Sequence, residues 1–331
     1  MSTIPFDWLA DFERYLRAEW HDSELHVGDI EPYGNGHSGF TYLLEIESAL
    51  RRGRYVLRLS PPNARIAGPT DIGRQGRIMA ALGEAGIPVP AVLAMDSTAT
   101  IGGRSFVLTE RVTGMSFEEA REQGSDRQLA EAAVELLHRI SSLPIEATGI
   151  GDETAIGLVQ EIERWHWLME RAPDPLRQRA ESLRNRLADA FPEDGNPRLV
   201  HGDYHYGNML FSDGQISALL DWEIAEIGSP LLDLGCLAVA SLRRRYEHEP
   251  NPTGGLDVSL LDLVRMYGQP VERVGWFLGL SCYKYSAILG YNLMLHLSGR
   301  RPDPVYQQLT GTMEGLIEDG LTILRLGIDA L

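Results

Sequence analysis

The chain has 331 residues, more than one simple core needs, since domains commonly run to about 100–200 residues. Its formal net charge of −17 argues against nucleic acid as a partner, because phosphate backbones are bound by basic patches. Hydrophobic residues make up 44% and charged residues 23%, an ordinary globular composition for which we expect two lobes or domains.

The amino-terminal segment and the cysteines favour a cytoplasmic protein. Residues 1–16 contain early acidic residues and no uninterrupted apolar stretch, so they do not resemble a signal peptide. Cys236 and Cys282 lie among apolar neighbours and are interpreted as buried thiols of a reducing compartment, with no cysteine cluster for zinc. The apolar stretch at 276–297 is interrupted by polar residues such as Lys284, which indicates a buried helix and no membrane partner.

The first third of the chain is predicted to be mainly antiparallel sheet. Apolar residues recur at helical spacing near the amino terminus, and short β-branched and aromatic segments bounded by turn residues follow. A later helix is predicted although it contains three glycines, which weaken a helix. The predicted helices cover residues 5–19 and 70–86, and the predicted strands cover 30–33, 40–46, 54–59, 92–95 and 105–112.

From Ser116 onward the pattern becomes helical. Ser125 is a candidate N-cap for an amphipathic helix, and a predicted helical pair at 158–171 and 176–191 follows. A strand-and-hairpin segment with an Asp-Gly turn at 213–214 interrupts the helices. The sequence therefore predicts an α+β chain with a small β-rich lobe and a larger helical lobe, at residues 1–112 and 113–331.

The strongest chemical signal is the segment HGDYHYGN at 201–208, followed by Asp221. A hairpin turn at 213–214 would place Asn208 and Asp221 on one face, offset by about 7 Å along the strands. Their oxygen-bearing side chains can then converge on one hard cation. Asp203 lies just upstream, where it could meet a substrate hydroxyl.

Phosphoryl transfer to an alcohol needs this set of side chains. Mg²⁺ takes few protein oxygens, and a carboxylate must orient the attacking hydroxyl and accept its proton. Taken singly, Asp203 or Asp221 would more often be a strand-end or turn-capping residue. The full H-x-D-x₄-N spacing with a later aspartate makes coincidence the weaker explanation, and it predicts a transferase that uses ATP and Mg²⁺.

His201, Asp203 and His205 also suggest a rival function, a metallohydrolase with zinc or iron, because they alternate along the chain. The sequence offers no clear distant histidine or cysteine to complete such a set. We interpret His201 as a scaffold residue that forms hydrogen bonds beside the catalytic group, and His205 as a loop residue.

A second signal is the glycine loop, which we define as Gly34, Gly36, Ser38 and Gly39 between two predicted strands. This position disfavours a dinucleotide-binding fold, in which such a loop opens a helix. It favours a β-turn that covers phosphates, with Ser38 and backbone N–H groups as donors.

Together these residues resemble the aminoglycoside phosphotransferase superfamily, which has a two-lobed, protein-kinase-like fold. The similarity is nearest to the branch that also occurs as the kinase-like domain of acyl-CoA dehydrogenase fusion proteins. It extends over nearly the whole chain and is most specific in the catalytic segments. The matching segments are GNGHSGFTYLL, RYVLRLSPP, IPVPAVLA, FVLTERVTG, LVHGDYHYGNMLF, ALLDWEIAEIGSPLLDLG and WFLGLSCYKYSAILGYN.

The resemblance implies roles by position. Asp203 would be the catalytic base, Asn208 and Asp221 would bind magnesium, and Asp233 would brace the catalytic loop. The glycine loop would cover the phosphates of ATP.

Two positions depart from the general kinase pattern. Arg58 stands where many members have a phosphate-binding lysine, and its guanidinium can still grip phosphate in a bidentate manner. Gln75 stands where a glutamate partner is usual; it cannot form an ion pair, and Glu84 is the candidate substitute. Glu110 and Val112 would offer backbone groups to adenine between the lobes.

The leading hypothesis is an active kinase that phosphorylates a hydroxyl group of a small molecule, such as a hydroxyacyl compound or an antibiotic. The aromatic residues of the late helix favour substrates other than aminoglycosides. The alternative is a nucleotide-binding pseudokinase with a sensor or scaffold role, which Arg58 and Gln75 favour and the intact catalytic segment opposes.

Overall fold

A computed structural model describes residues 6–33, 39–48, 51–63, 71–193, 195–243, 245 and 256–331. The chain forms two compact units, each built from several segments. The first comprises Met1–Gly114, Glu146–Gly151 and Ser217–Ile224, and the second comprises Met115–Ile145, Asp152–Ile216 and Ala225–Leu331. The assignment of a nucleotide-binding lobe to residues 1–112 and a catalytic lobe to 113–331 stays a prediction.

Five strands form the framework of the first unit: β1 His26–Pro32, β2 Phe40–Glu47, β3 Arg52–Leu59, β4 Val92–Ile101 and β5 Arg104–Glu110. They make one antiparallel sheet in the order β1-β2-β3-β5-β4, which confirms the predicted antiparallel arrangement. In the central strand, Arg58 lies opposite Thr41 of β2 and Val107 of β5.

Two strands are longer than predicted. β1 begins at His26, and β4 continues to Ile101 through an irregular stretch. In that stretch the Asp96 carboxylate accepts hydrogen bonds from the N–H and hydroxyl groups of Thr98 and Thr100, at 2.5–2.8 Å. These bonds satisfy backbone groups that the strand ladder leaves unpaired, so the strand continues through its bulge.

Helix α1, Leu9–Glu19, covers one part of the sheet and corresponds to the first predicted helix. Phe12 is fully buried and packs edge-on against Phe106 of β5, with ring centroids 5.2 Å apart. Apolar residues at helical spacing therefore form the core contact that the sequence pattern predicts.

Helix α2, Ile72–Glu84, lies within the predicted range of 70–86. Its N-cap is Asp71, whose side chain accepts a hydrogen bond from the N–H of Arg74 at 2.8 Å. A Cβ added at Gly76 would lie 2.6 Å from Cγ2 of Val107. A glycine that weakens the helix is thus required where α2 approaches β5.

The second unit is mainly helical, as predicted from residue 116 onward. Ser125 accepts a hydrogen bond from the N–H of Gln128 at 3.2 Å, which confirms the predicted cap. The short helix α3 was not predicted, although Ser116 and Glu119 form its capping box. The helices are α3 Phe117–Gln123, α4 Asp126–Ser141, α5 Leu158–Met169, α6 Asp174–Asp189, α7 Leu231–Arg243, α8 Leu260–Tyr267, α9 Val271–Leu297, α10 Val305–Gln308 and α11 Thr310–Leu326.

Of the helices that the structure describes, none is both long enough and apolar enough to cross a membrane. Even α9, with 27 residues, is interrupted by polar side chains such as Lys284.

Short strands frame the segment at 201–208. β6, Arg198–Val200, leads into it and pairs antiparallel with β9, Glu226–Gly228, which the sequence did not predict. A 3₁₀ turn at Tyr206–Asn208 ends the segment and leads into a hairpin of β7, Met209–Ser212, and β8, Gln215–Leu219.

The hairpin turn has the predicted conformation. Both Asp213 and Gly214 have positive φ, at 51° and 74°. Positive φ at both central residues is the type I′ turn that Asp-Gly favours, because its twist matches that of the strands.

A pair of buried carboxyl groups lies beside the strand that leads into the segment at 201–208. Glu226 of β9, opposite Val200, and Glu161 of α5 are both almost fully buried. Arg164 contacts both carboxyls. Burial and the neighbouring Glu161 raise the pKa of Glu226 to about 8, although Arg164 lowers it. The raised pKa favours the protonated form of Glu226 in the folded protein.

Glu226→Gln should change how stability depends on pH. A carboxyl with a pKa of 4.5 in the unfolded chain and about 8 in the folded protein contributes stability at low pH that is lost as pH rises through this window. We expect the melting temperature of the wild type, relative to Glu226→Gln, to fall between about pH 5 and about pH 9. Scanning calorimetry measures this difference.

Glu163→Gln is the control, because Glu163 lies on the same helix as Glu161 but is exposed and pairs with Arg184 at 2.8 Å. Its difference from the wild type should stay constant over the same range. A constant difference for Glu226→Gln would show that folding leaves this carboxyl unperturbed.

Candidate active site

The segment at 201–208 is anchored at its beginning by α7. Asp233 is fully buried, and its carboxylate accepts hydrogen bonds from the N–H groups of His201 and Gly202 at 2.7 and 2.9 Å. Burial raises the pKa of Asp233 to about 7, although the two N–H donors favour its charged form. Gly202 has a φ of 83°, which permits the sharp turn that precedes Asp203. Asp233 therefore holds the backbone of this segment. Its predicted role in bracing a catalytic loop stays a prediction.

The Asp203 carboxylate is held on both oxygens. Tyr285 donates its hydroxyl to Oδ1 at 2.9 Å. Oδ2 lies 3.3 Å from the amide nitrogen of Asn208 and 3.2 Å from Nε2 of His205. The side chain keeps 29% of its surface exposed, so it is not sealed inside the protein.

The charge on Asp203 is strongly favoured. Burial raises its pKa, but the hydrogen bond from His205 and the charge of Lys284 lower it well below the usual range. Asp203 is therefore an anionic hydrogen-bond acceptor throughout the physiological pH range.

The two histidines serve the backbone of the segment. His201 Nδ1 accepts from the N–H of Asp203 at 3.1 Å, and His205 Nδ1 accepts from the N–H of Gly207 at 3.0 Å. Each neutral ring then carries its proton on Nε2, which assigns His205 as a donor to Asp203. In the parts of the chain that the structure describes, no cluster of three or more His, Cys, Asp or Glu could hold a metal ion. His201 thus forms the kind of hydrogen bond predicted for a scaffold residue.

Asn208 is oriented by its amide nitrogen, which donates to the backbone oxygen of Asp203 at 2.9 Å. Its amide oxygen is therefore the atom that remains for a cation. The other predicted magnesium ligand, Asp221, belongs to the first unit and has a φ of 62°, an uncommon conformation for a non-glycine residue. The shared magnesium site of Asn208 and Asp221 stays a prediction.

Arg58 forms two ion pairs within the first unit. Nη1 lies 2.9 Å from Oδ1 of Asp221, and Nη2 lies 3.1 Å from Oε2 of Glu223. The sequence analysis missed Glu223, although Asp221-Trp222-Glu223 places two carboxylates two residues apart. Gln75 is buried on α2, and its predicted role as a neutral partner of Arg58 stays a prediction.

Most of the glycine loop, namely Gly34, Gly36 and Ser38, lies outside the described residues. At Gly39, an added Cβ would lie 2.8 Å from the carbonyl oxygen of Leu59, so packing alone requires glycine there. The contribution of the loop to phosphate binding stays a prediction.

The predicted adenine contacts lie at the end of β5. Glu110 uses its backbone N–H in a 3.0 Å hydrogen bond to the oxygen of Ala91, so this N–H is not the group that it would offer to adenine. Val112 is partly buried just beyond the strand. The adenine contacts of Glu110 and Val112 therefore stay predictions.

Two residues of α9 join the site without having been predicted. Lys284 donates to the backbone oxygen of Gly202, and Tyr285 donates to Asp203. Both partners are 82 residues away in the sequence. The available signal was a lysine in the middle of an otherwise apolar helix, since a charged side chain there needs a partner.

Comparison with known proteins places these features in a family. The family model "Phosphotransferase enzyme family" matches residues 29–261. Human acyl-CoA dehydrogenase family member 11 is 31% identical over 89% of this chain, and mouse acyl-CoA dehydrogenase family member 10 is 25% identical over 95% of it. The chain spans 40% and 31% of the length of these two relatives.

Solved structures share the fold. A Ralstonia eutropha protein assigned to the aminoglycoside phosphotransferases superposes with a TM-score of 0.71 at 20% identity, covering 96% of this chain and 98% of its own. The aminoglycoside phosphotransferase APH(4)-Ia, in a ternary complex with AMP-PNP and hygromycin B, gives a TM-score of 0.58 at 17% identity, covering 92% and 97%. The fold is therefore the predicted protein-kinase-like fold, and the chain belongs to the phosphotransferase enzyme family.

Proposed function

We propose that this protein is an ATP- and Mg²⁺-dependent kinase that transfers the γ-phosphoryl group of ATP to a hydroxyl group of a small molecule. The observation that carries the proposal is the Asp203 carboxylate, which is anionic, partly exposed and fixed by Tyr285, Asn208 and His205. Membership of a phosphotransferase family supports the reaction class. A structural relative bound to AMP-PNP and hygromycin B supports a nucleotide donor and a small hydroxyl-bearing acceptor.

Asp203 would act by orienting the acceptor. Its carboxylate accepts the hydrogen bond of the acceptor O–H, and the acceptor oxygen forms a bond to the γ-phosphorus while the bond from phosphorus to the β–γ bridging oxygen breaks. The proton passes to Asp203 late in the step, because the low pKa of this carboxyl makes it a weak base. Positioning is thus its main contribution.

The donor set suits magnesium. Asn208 has its amide nitrogen committed to Asp203, which leaves an amide oxygen, and Asp221 supplies a partly exposed carboxylate. Mg²⁺ prefers such hard oxygens and takes most of its other ligands from phosphates and water. When bound, the ion would neutralise charge on the phosphate oxygens.

Arg58 is the proposed phosphate clamp. Its ion pairs with Asp221 and Glu223 hold the guanidinium ready in the absence of nucleotide. Binding of the nucleotide would exchange at least one carboxylate for phosphate oxygens, a partner that suits the planar fork of donors equally well.

The same ion pairs favour a second candidate, a nucleotide-binding pseudokinase. If Arg58 kept Asp221 in the bound state, that carboxylate would be a poor magnesium ligand. Measuring ATP consumption over a panel of hydroxyl-bearing metabolites and antibiotics, with and without Mg²⁺, distinguishes the two. Acceptor-dependent ADP formation that requires Mg²⁺ identifies the kinase, and nucleotide binding without turnover identifies the pseudokinase.

The acceptor is expected beside Asp203, in the second unit. The loop at 247–255, which the sequence suggests as a cover for the acceptor, lies outside the described residues. Hydroxyacyl compounds and antibiotics other than aminoglycosides are the first acceptors to test.

Asp203→Asn should lower kcat by about 10²- to 10⁴-fold. The neutral amide cannot accept the proton, and it offers the acceptor hydroxyl no anionic hydrogen-bond partner. Affinity for Mg-ATP should change little. Steady-state kinetics with a verified acceptor and calorimetry with Mg-ATP measure the two quantities. Asp213→Asn, in the hairpin turn where asparagine also tolerates positive φ, is the control and should keep its activity. Near-normal turnover by Asp203→Asn would remove this residue from the mechanism.

Arg58→Ala should weaken binding of Mg-ATP by about 1.5–3 kcal/mol, the scale of a hydrogen bond to a charged group. The matched control is Arg54→Ala on the same strand, whose side chain pairs with the exposed Glu31. Calorimetric titration of both variants with Mg-ATP gives the comparison. Equal affinities for Arg58→Ala and the wild type would show that Arg58 only organises the two carboxylates.

A further inference from the structure

We propose, building on the kinase function above, that Lys284 and Tyr285 of α9 are positioning residues that hold the catalytic turn and orient the Asp203 carboxylate. Neither residue belongs to the H-x-D-x₄-N segment or to the later Asp221 region. They reach the turn from a helix 82 residues further along the chain.

Lys284 completes the hydrogen bonding of the Gly202 peptide groups. Its ammonium donates to the Gly202 carbonyl oxygen, which is also 3.7 Å from the thiol of Cys236. Asp233 already holds the N–H of Gly202 at 2.9 Å. The peptide groups on both sides of the glycine are therefore fixed, and the φ of 83° cannot relax without breaking a bond to a charged group.

The environment of Lys284 is built for a buried cation. Only 4% of the residue is exposed, and an unpaired ammonium at such depth would cost several kcal/mol. Its nitrogen also lies 3.4 Å from the sulfur of Cys236 and 4.7 Å from the ring centroid of Trp165. Three donors thus meet a carbonyl, a thiol and an aromatic face. Burying a lysine here is costly, which indicates a local role for it. In the described ranges, the only backbone group to which its ammonium donates is the Gly202 carbonyl of the turn.

Tyr285 acts on the carboxylate itself. Its hydroxyl donates to Oδ1 of Asp203 at 2.9 Å, on the oxygen that Asn208 and His205 do not contact. With one oxygen fixed from α9 and the other from the segment, the carboxylate plane has little freedom to rotate. Lys284, the preceding residue on the helix, fixes the backbone of the turn. Helix α9 therefore determines both the position and the orientation of the Asp203 carboxylate.

The distance between α7 and α9 is set by Gly235. A Cβ at this position would lie 2.6 Å from the carbonyl oxygen of Phe277 and 2.6 Å from Oγ of Ser281, both on α9. The two helices can therefore approach closely enough for Asp233 of α7 and Lys284 of α9 to grip the same glycine.

The test compares Lys284→Met, Lys284→Arg and Tyr285→Phe with the wild type. Tyr283→Phe is the matched control, because Tyr283 is equally buried on α9 but bonds through its hydroxyl to His166, 3.0 Å away. Three quantities are measured: hydrogen exchange of the amides at 201–203, affinity for Mg-ATP, and kcat and KM for a verified acceptor. Hydrogen exchange needs no activity, so it decides the proposal even if the wild type phosphorylates nothing and the proposed function fails.

We expect Lys284→Met to speed exchange at 201–203 only, and to lower kcat by about 10- to 100-fold, the cost of a misplaced catalytic group, with unchanged affinity for Mg-ATP. Lys284→Arg should restore part of the protection and of kcat. Tyr285→Phe should lower kcat by about 3- to 10-fold, the equivalent of one hydrogen bond, and Tyr283→Phe should match the wild type.

Exchange that rises throughout the second unit, or an equal loss in Tyr283→Phe, would show a merely structural role and overturn the proposal. Should Lys284→Met fail to fold, the other two variants decide. Wild-type kcat in Tyr285→Phe or, without turnover, wild-type exchange at 201–203 in Lys284→Arg would overturn the proposal.

Discussion

The peptide groups around Gly202 are the constraint on which the candidate site depends. They are buried, so each must find a hydrogen-bond partner inside the protein. Asp233 supplies the acceptor for the N–H groups, and Lys284 supplies the donor for the carbonyl oxygen. A carboxylate and an ammonium are thus placed on opposite sides of one glycine, and each makes the burial of the other less costly. The Asp203 carboxylate, the proposed base, follows directly in the chain and lies next to this arrangement.

The first unit also contains a cluster of opposite charges, and these are partly exposed. Arg58 on the central strand neutralises two carboxylates that stand two residues apart, Asp221 and Glu223. The positive φ of Asp221 turns the chain so that both side chains face the guanidinium. Because these groups are partly exposed, their pairing is weaker than the buried contacts of the other unit, as the proposed exchange for phosphate requires.

Local signals predicted much of the fold. The Asp-Gly turn, the Ser125 cap and the apolar spacing of α1 each depend on a few neighbouring residues, and each was right. Short elements were missed where the signal was brief, as for β9 and for α3, whose capping box is visible in the sequence. The bulge of β4 was missed because it depends on hydrogen bonds from Thr98 and Thr100 to the Asp96 carboxylate, which no periodicity records.

The candidate site divides in the same way. Asp203 and Asn208 are close in sequence, so their spacing identified both as candidates, and the structure brings them into contact. Tyr285, Lys284 and Glu223 depend on contacts between distant segments, which no local pattern specifies. These contacts can be identified only once the positions of helices α7 and α9 and of the central strand are known.

Gly235 has no functional group and touches no substrate, yet its substitution would separate α7 from α9 by the width of a methyl group. In a genetic screen for loss of activity it would therefore be scored with the catalytic residues, although it lies in a helix core. A larger residue at this position would need α9 to lie further away, because the Phe277 atoms in contact belong to the backbone. A mutational map of this protein should accordingly be interpreted through helix spacing as well as through distance from Asp203.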